Sequence, residues 1–169
     1  MAVKSTLKNM ALCLSVICLV CSALLAGVYV LTKGPIDAAA QAKTANAIAE
    51  VTPAFDSYEE LSVDMDGSTY PYYQVSDASG KVLAHAIQST VSGFGGALTL
   101  MVGVTTDGVV YNTSVLSHSE TPGLGAKCTE PKFHDQFAGW NPSEKTLVVK
   151  KDGGDVDAIT ASTITSRAY

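Results

Sequence analysis

The chain has 169 residues, 47% of them hydrophobic and only 16% charged, with a formal charge of −5 at neutral pH. That length suits one compact domain plus an appendage. Two basic residues precede a long apolar run, whereas nine basic and all sixteen acidic residues follow it; this acidic surplus excludes a basic patch that would bind nucleic acid or an anionic membrane surface.

From Met10 to Leu31 there is no charged residue, and the run is rich in Leu, Val, Ala, Ile and Cys. Twenty-two residues at ~1.5 Å each give about 33 Å, enough to cross a hydrocarbon layer of about 30 Å. The competing reading is a cleaved signal peptide, for which Ala23-Leu24-Leu25-Ala26-Gly27 offers small residues, but the apolar region of a signal peptide is shorter, roughly 7 to 15 residues. A retained anchor is therefore expected. Lys4, Lys8 and the amino terminus precede the span, while Lys33 is soon followed by Asp37, which predicts a cytoplasmic start and an extracytoplasmic remainder. The expected division is a cytoplasmic N-terminus at 1–9, a transmembrane helix at 10–31, a juxtamembrane helix at 32–53 and an extracytoplasmic domain at 54–169.

Cys13, Cys18 and Cys21 lie inside the apolar run and act there as small hydrophobes, leaving Cys128 without an intradomain partner. Neither the cysteines nor His85, His118 and His134 show metal-ligand spacing, so no protein-bound metal is expected and the histidines are given structural roles.

Pro35 can open a helix, and Ile36, Ala40, Ala47, Ile48 and Val51 recur at helical intervals up to the stop at Thr52-Pro53. From Thr69 the pattern changes to short β-like runs: Thr69–Val75, Val82–Val91, Ala97–Thr105, Val109–Leu116 and Thr146–Val149. Asp107-Gly108 between two of these runs is the strongest hairpin signal. A helical stretch is expected around Glu130–Ala138, and Trp140 reads as a core or lid aromatic. The fold class is α+β, with one N-terminal transmembrane helix followed by a small domain built on an antiparallel sheet with few helices.

Three segments carry more than packing demands. Gly93-Phe94-Gly95-Gly96 sets three glycines around an aromatic just before a strand, a pattern that permits positive φ or close backbone approach. In Glu120-Thr121-Pro122-Gly123-Leu124-Gly125, Thr-Pro-Gly reads as a turn with Pro fixing φ and Gly taking the left-handed position. Near the end, Thr160, Ser162, Thr163 and Thr165 place four hydroxyls within six residues, downstream of Asp157. On composition alone this cluster reads as a strand end or a helix cap.

These segments, with Phe137-Ala138-Gly139 between the second and third, fall in the order seen in FMN-binding domains, and the chain resembles that family. Its members include the G subunit of the Rnf ion-translocating electron-transport complex and the C subunit of the sodium-translocating NADH:quinone oxidoreductase. Leu31-Thr32-Lys33-Gly34-Pro35-Ile36 looks like the segment after the anchor in the Rnf subunits, which favours the first. The resemblance implies FMN joined covalently through its phosphate to a threonine, within a pattern of Asp, two residues, Ser or Thr, Gly, Ala and the modified Thr. Asp157 and Thr160 then match the acidic and first hydroxyl positions, and Thr163 is the acceptor. Ala161 stands where Gly is usual and Ser162 where Ala is usual.

By the same resemblance, the cofactor surface comprises Glu120, Thr121, Gly123, Leu124 and Gly125, with Phe94, Gly95 and Gly96 nearby, alongside Ser162 and Thr165. Ile159 and Ile164 are expected to lie on a sheet face while the hydroxyls point to the cofactor. The family continues with a helix where this chain stops at Tyr169, so the sequence is expected to be either truncated or short. The function implied is that of an electron carrier with covalent FMN, within a complex that couples ferredoxin oxidation to NAD reduction and ion transport. Its partners are the other subunits, a flavin transferase during maturation and the lipid bilayer. The alternatives are the quinone-reductase subunit or a single-pass scaffold with a vestigial flavin site.

Overall fold

In the computed structural model, residues 6–65 and 67–169 are described. Residues 1–5, which hold Lys4 and begin the segment expected on the cytoplasmic side, and Asp66 lie outside the described residues. The chain divides into two compact units, residues 1–42 and 43–169.

Helix α1 (Leu7–Val51) begins in the first unit and ends in the second. Its 45 residues are long and apolar enough to cross a membrane. Every large apolar side chain from Met10 to Leu31 is exposed, a stripe too extensive for a water-facing surface. Pro35, expected to open a separate helix, lies inside α1; the alanine run Ala38–Ala40 that follows it favours continuation of the helix despite the lost backbone donor.

The second unit is built on five antiparallel strands in a meander, β1 (Ser57–Met65), β2 (Ser68–Ser76), β3 (Val82–Ser92), β4 (Ala97–Thr105) and β5 (Val110–His118), ordered β1-β2-β3-β4-β5. The last four match expected runs. The β4–β5 turn is the Asp107-Gly108 hairpin, with Gly108 at φ 81° and its N–H donating to the Thr105 carbonyl at 2.9 Å. Strand β1 carries no such signal: Glu59, Glu60 and Asp64 break its apolar pattern, and as an edge strand it is exposed over almost its whole length.

Interior strand β4 has buried side chains on both faces. Met101 joins Val75, Ala84 and Ala86 on one face, where Ala47, Ile48 and Val51 at the end of α1 cover them. Burying Ile48 and Val51 contributes roughly 1.5–3 kcal/mol each. Helix and sheet approach closely because the sheet side is small: a Cβ at Gly103 would run into the Val51 carbonyl. Leu98 and Leu100 face the other core, with Val110, Cys128, Phe133, Phe137, Trp140, Val149, Val156 and Ile159.

That second core is roofed by the irregular C-terminal segment. It contains a 3-10 turn at Gly125–Thr129, the short helix α2 (Pro131–His134) running into a 3-10 turn at Asp135–Phe137, a 3-10 turn at Lys150–Asp152 and the helix α3 (Thr163–Ala168). Thr146–Val149, expected as a strand, is irregular: Leu147 and Val148 are exposed, and Val149 makes only an isolated parallel bridge to Val156. The hydroxyl segment is likewise a turn leading into α3 and not a strand, with Ile159 buried in the core and Ile164 49% exposed, so the two isoleucines share no sheet face. Tyr169 stacks on Phe137 with ring centroids 4.9 Å apart, meets the edge of Phe133 at 5.0 Å, and exchanges a 2.6 Å hydroxyl hydrogen bond with Thr113.

Candidate functional site

The Gly93–Gly96 segment is a tight turn at the β3–β4 connection, closed by a 2.7 Å bond from the Gly93 N–H to the Gly96 carbonyl. It packs on Ser119-Glu120 at the end of β5. The Glu120 side chain is buried, and its carboxylate accepts the Phe94 N–H at 2.8 Å and the Gly95 N–H at 3.3 Å. A Cβ at Gly93 would collide with Glu120 Oε1, and one at Gly95 would press on the Ser119–Glu120 backbone. Close approach of protein to protein therefore explains two of these glycines. Beyond Glu120, Thr121 to Leu124 form a β-turn with the Leu124 N–H donating to the Thr121 carbonyl at 3.2 Å and Gly123 at φ 76°, as Pro-Gly at its centre predicts.

The third segment reaches the same place by a sharp reversal. Ala161 has φ 62°, and Ser162 stands at the N-terminal boundary of α3 without a capping hydrogen bond from its side chain. Ser166 ties the turn together: its hydroxyl accepts the Ile159 N–H at 2.9 Å and donates to the Ser162 carbonyl at 3.0 Å.

Between the three segments lies an open cleft of ≈ 400 Å³, lined by Phe94, Glu120, Thr121, Leu124, Gly125, Ala161, Ser162, Thr163, Ile164 and Thr165. Eight expected site residues thus converge. Gly95, Gly96 and Gly123 shape the loops without lining the cleft. Asp157 and Thr160 lie elsewhere, beside a smaller depression of ≈ 180 Å³ with Lys127, Glu130, Lys132 and Phe133. The Asp157 carboxylate pairs with Lys150 at 2.7 Å, while its backbone N–H donates to Gln136 Oε1 at 2.8 Å. Ala161 and Ile164 line the cleft, although the sequence assigned neither a cofactor role. The signal available for Ala161 was its place at a position where the family pattern has glycine.

The four hydroxyls are not equivalent. Ser162 is 8% exposed and Thr165 1%, whereas Thr160 is exposed but outside the cleft, and Thr163 is half-buried and inside it. The Thr165 hydroxyl is buried without a hydrogen-bond partner. A Cβ at Gly125 would sit 2.7 Å from that oxygen, so glycine keeps a small space open beside it. An orphaned donor beside such a space, with exposed Phe94 and Leu124 at the rim, fits a ligand having polar and apolar parts, as FMN has. Below the cleft, Cys128 is free and fully buried; burial first and the Glu120 carboxylate second push its thiol pKa up, so it behaves as a core residue.

A small antiparallel domain with a loop-built cleft, joined to a long apolar helix, defines the class: residues 93–169 match the model of the FMN-binding domain family, and residues 1–51 match that of the RnfG N-terminal region. The chain is 35% identical to the G subunit of the ion-translocating oxidoreductase complex of Methanosarcina acetivorans, over 90% of this chain and 83% of that one. It is 31% identical to the G subunit of the proton-translocating ferredoxin:NAD(+) oxidoreductase complex of Clostridium ljungdahlii, over 92% and 81%. The chain belongs to this family of G subunits of ion-translocating oxidoreductase complexes. Among solved structures, the fold resembles the C subunit of the Na(+)-translocating NADH-quinone reductase of Parabacteroides distasonis, with a TM-score of 0.52 and 22% identity over 75% of each chain. It also resembles Shewanella oneidensis NqrC, with a TM-score of 0.50 and 23% identity over 64% of this chain and 58% of that one.

Proposed function

We propose that this chain is the membrane-anchored electron-carrier subunit of an ion-translocating ferredoxin:NAD oxidoreductase complex, holding FMN by a phosphoester bond to Thr163. The observation that carries the attachment site is the exposure pattern of the hydroxyl cluster: Thr163 alone among Thr160, Ser162, Thr163 and Thr165 both lines the cleft and remains half-exposed. A transferase can reach that oxygen and leave its product in the cleft. In the attachment step the Thr163 hydroxyl gives up its proton and bonds to phosphorus, as the bond from phosphorus to the leaving group of an activated flavin nucleotide breaks. Bound FMN supplies an isoalloxazine ring that accepts and releases electrons.

The residues around it bind and orient. Thr165 offers its unpartnered hydroxyl, Leu124 and Phe94 offer apolar surface, and Thr121 is a candidate to bond a ring edge. Asp157 and Thr160, exposed outside the cleft, belong to the face that a flavin transferase would read during maturation.

The relatives' place in multi-subunit complexes supports partner subunits for this one. The apolar stretch Met10–Leu31 supports a single span in a lipid bilayer, with residues 1–9 cytoplasmic, 32–53 a juxtamembrane segment and 54–169 extracytoplasmic. A covalent cofactor suits that side of the membrane because a dissociable one would be lost.

The test is the intact mass of the full chain coexpressed with a flavin transferase. One FMN-sized increment is expected, with flavin fluorescence surviving denaturation, and Thr163→Ala abolishes both. No increment on the unsubstituted chain sinks the carrier reading and favours a scaffold. An increment that survives Thr163→Ala but is lost in Thr160→Ala or Ser162→Ala moves the attachment site.

A further inference from the structure

Glu120 is a carboxylate with an unusual set of neighbours. It is 6% exposed, and among the described residues no Lys, Arg or His forms an ion pair with it. A buried carboxylate without a cation is costly unless hydrogen bonds hold it. The two donors that do so here are consecutive backbone amides, those of Phe94 and Gly95.

The sequence has made room for this arrangement on both sides. Gly93 and Gly125 lie in different loops, and at each a Cβ would collide with a Glu120 carboxylate oxygen. The carboxylate therefore links the turn after β3 to the loop after β5 across a gap of 25 to 26 residues in sequence. Charge-assisted bonds to backbone amides are about twice as strong as neutral ones. A four-residue turn containing three glycines is otherwise a segment of low local stability.

What this latch holds is Phe94. That side chain is 71% exposed, although it is a large aromatic fixed at the amide next to a buried carboxylate. Phe94 lines the same cleft as Leu124, 44% exposed, and Ile164, 49% exposed. A pinned backbone carrying an uncovered ring places that ring for a ligand and not for the protein core.

We infer that Glu120 is a positioning residue: through the Phe94 and Gly95 amides it fixes Phe94 as one wall of the cleft, screening the bound flavin ring from solvent. Glu120 thus acts on the cofactor through Phe94 and not by touching it. This rests on the FMN reading above.

The experiment uses the detergent-solubilised full chain, coexpressed with a flavin transferase, in unsubstituted form and as Phe94→Ala, Glu120→Ala, Glu120→Gln and the double variant Phe94→Ala/Glu120→Ala. Adduct mass is measured first and iodide quenching of flavin fluorescence second. Quenching is compared per bound flavin, so that partial loading of a variant does not alter the comparison, and Thr163 is untouched in every form. In Phe94→Ala and in Glu120→Ala the quenching constant rises about twofold or more, as the screened face opens. The double variant shows no further rise, because both changes remove one device. Glu120→Gln falls between the unsubstituted chain and Glu120→Ala, since Oε1 still accepts the Phe94 N–H while the amide N–H₂ that replaces Oε2 cannot accept the Gly95 N–H.

A rise in Phe94→Ala alone would remove Glu120 from the role, and so would additive rises in the double variant or a Gln variant as open as the Ala one. Unchanged quenching in every variant would show that Phe94 does not screen the ring. Absence of the adduct from the unsubstituted chain would instead overturn the FMN reading itself. Because Phe94→Ala leaves both loop amides their acceptor and Glu120→Gln leaves that of the Phe94 N–H, they decide the matter even where Glu120→Ala fails to fold.

Discussion

Ala161 takes φ 62°, the only positive value outside glycine among the described residues. An L-residue in the left-handed region costs roughly 1–2 kcal/mol, because Cβ crowds the following carbonyl. The position demands it: the chain reverses there, so that Thr160 faces the outer depression while Ser162 and Thr163 face the cleft. Glycine at this point of the family pattern is explained by the same backbone, a reason invisible in the spelling of one sequence. Replacing Ala161 by Gly removes the crowding but adds freedom to the unfolded chain, which offsets about half of the gain. The expected result is a stabilisation of about 0.5–1 kcal/mol, read as a rise of about 1–4 °C in the midpoint of thermal unfolding of the solubilised chain. Ala161→Val should lower the midpoint, and the FMN adduct should be unaffected in Ala161→Gly. A Gly variant that melts no higher would show that the turn stores no strain.

At the scale of elements, the end of α1 and the face of the sheet are fitted to each other by small residues. Ala84, Ala86 and Gly103 form the floor on which Ile48 and Val51 rest, and the Asn112 amide adds a 3.1 Å hydrogen bond to the Glu50 carbonyl. Gly103→Ala places a methyl group where the Val51 carbonyl already is, so helix or strand must shift. Overpacking of this kind costs about 1–3 kcal/mol, which denaturant unfolding would record; a variant of unchanged stability would mean that the helix end is only loosely docked. The sequence showed the helix and four strands because their periodicities are strong. It hid β1, an edge strand with little burial to pattern, and it suggested a strand at Thr146–Val149, where Val149 alone is buried and the neighbouring apolar side chains face solvent. The site was legible as three segments, since Gly and Pro mark their turns. Their convergence depends on a buried carboxylate reaching from the loop after β5 to the β3–β4 turn, and no local pattern reports such a contact.

At the scale of the whole domain, strand β4 is covered on both faces, and the core beside the cleft is joined by Ala168 and Tyr169. Tyr169 is the keystone there, held between Phe133 and Phe137 with its hydroxyl on Thr113. Burial pushes its phenol pKa up to about 12, against a smaller lowering by the Thr113 hydrogen bond. The neutral phenol is the form the fold prefers. The stabilisation is therefore complete below the ordinary tyrosine pKa of about 10 and is lost as pH rises from there through about 12. A shift of that size corresponds to something on the order of 3 kcal/mol. Other groups titrate in the same range, among them Tyr73, whose pKa is also raised, first by burial and then by Glu60. The quantity to measure is consequently the difference between the chain and its Tyr169→Phe variant. Near neutral pH the variant should be less stable by about 1–2 kcal/mol, because the buried Thr113 hydroxyl loses its partner. Between pH 10 and 12 the two stability curves should converge, as the unsubstituted chain pays to keep or ionise a phenol that the variant lacks. Parallel curves over that interval would place the Tyr169 hydroxyl in contact with water and remove it from the core that supports α3 and the cleft.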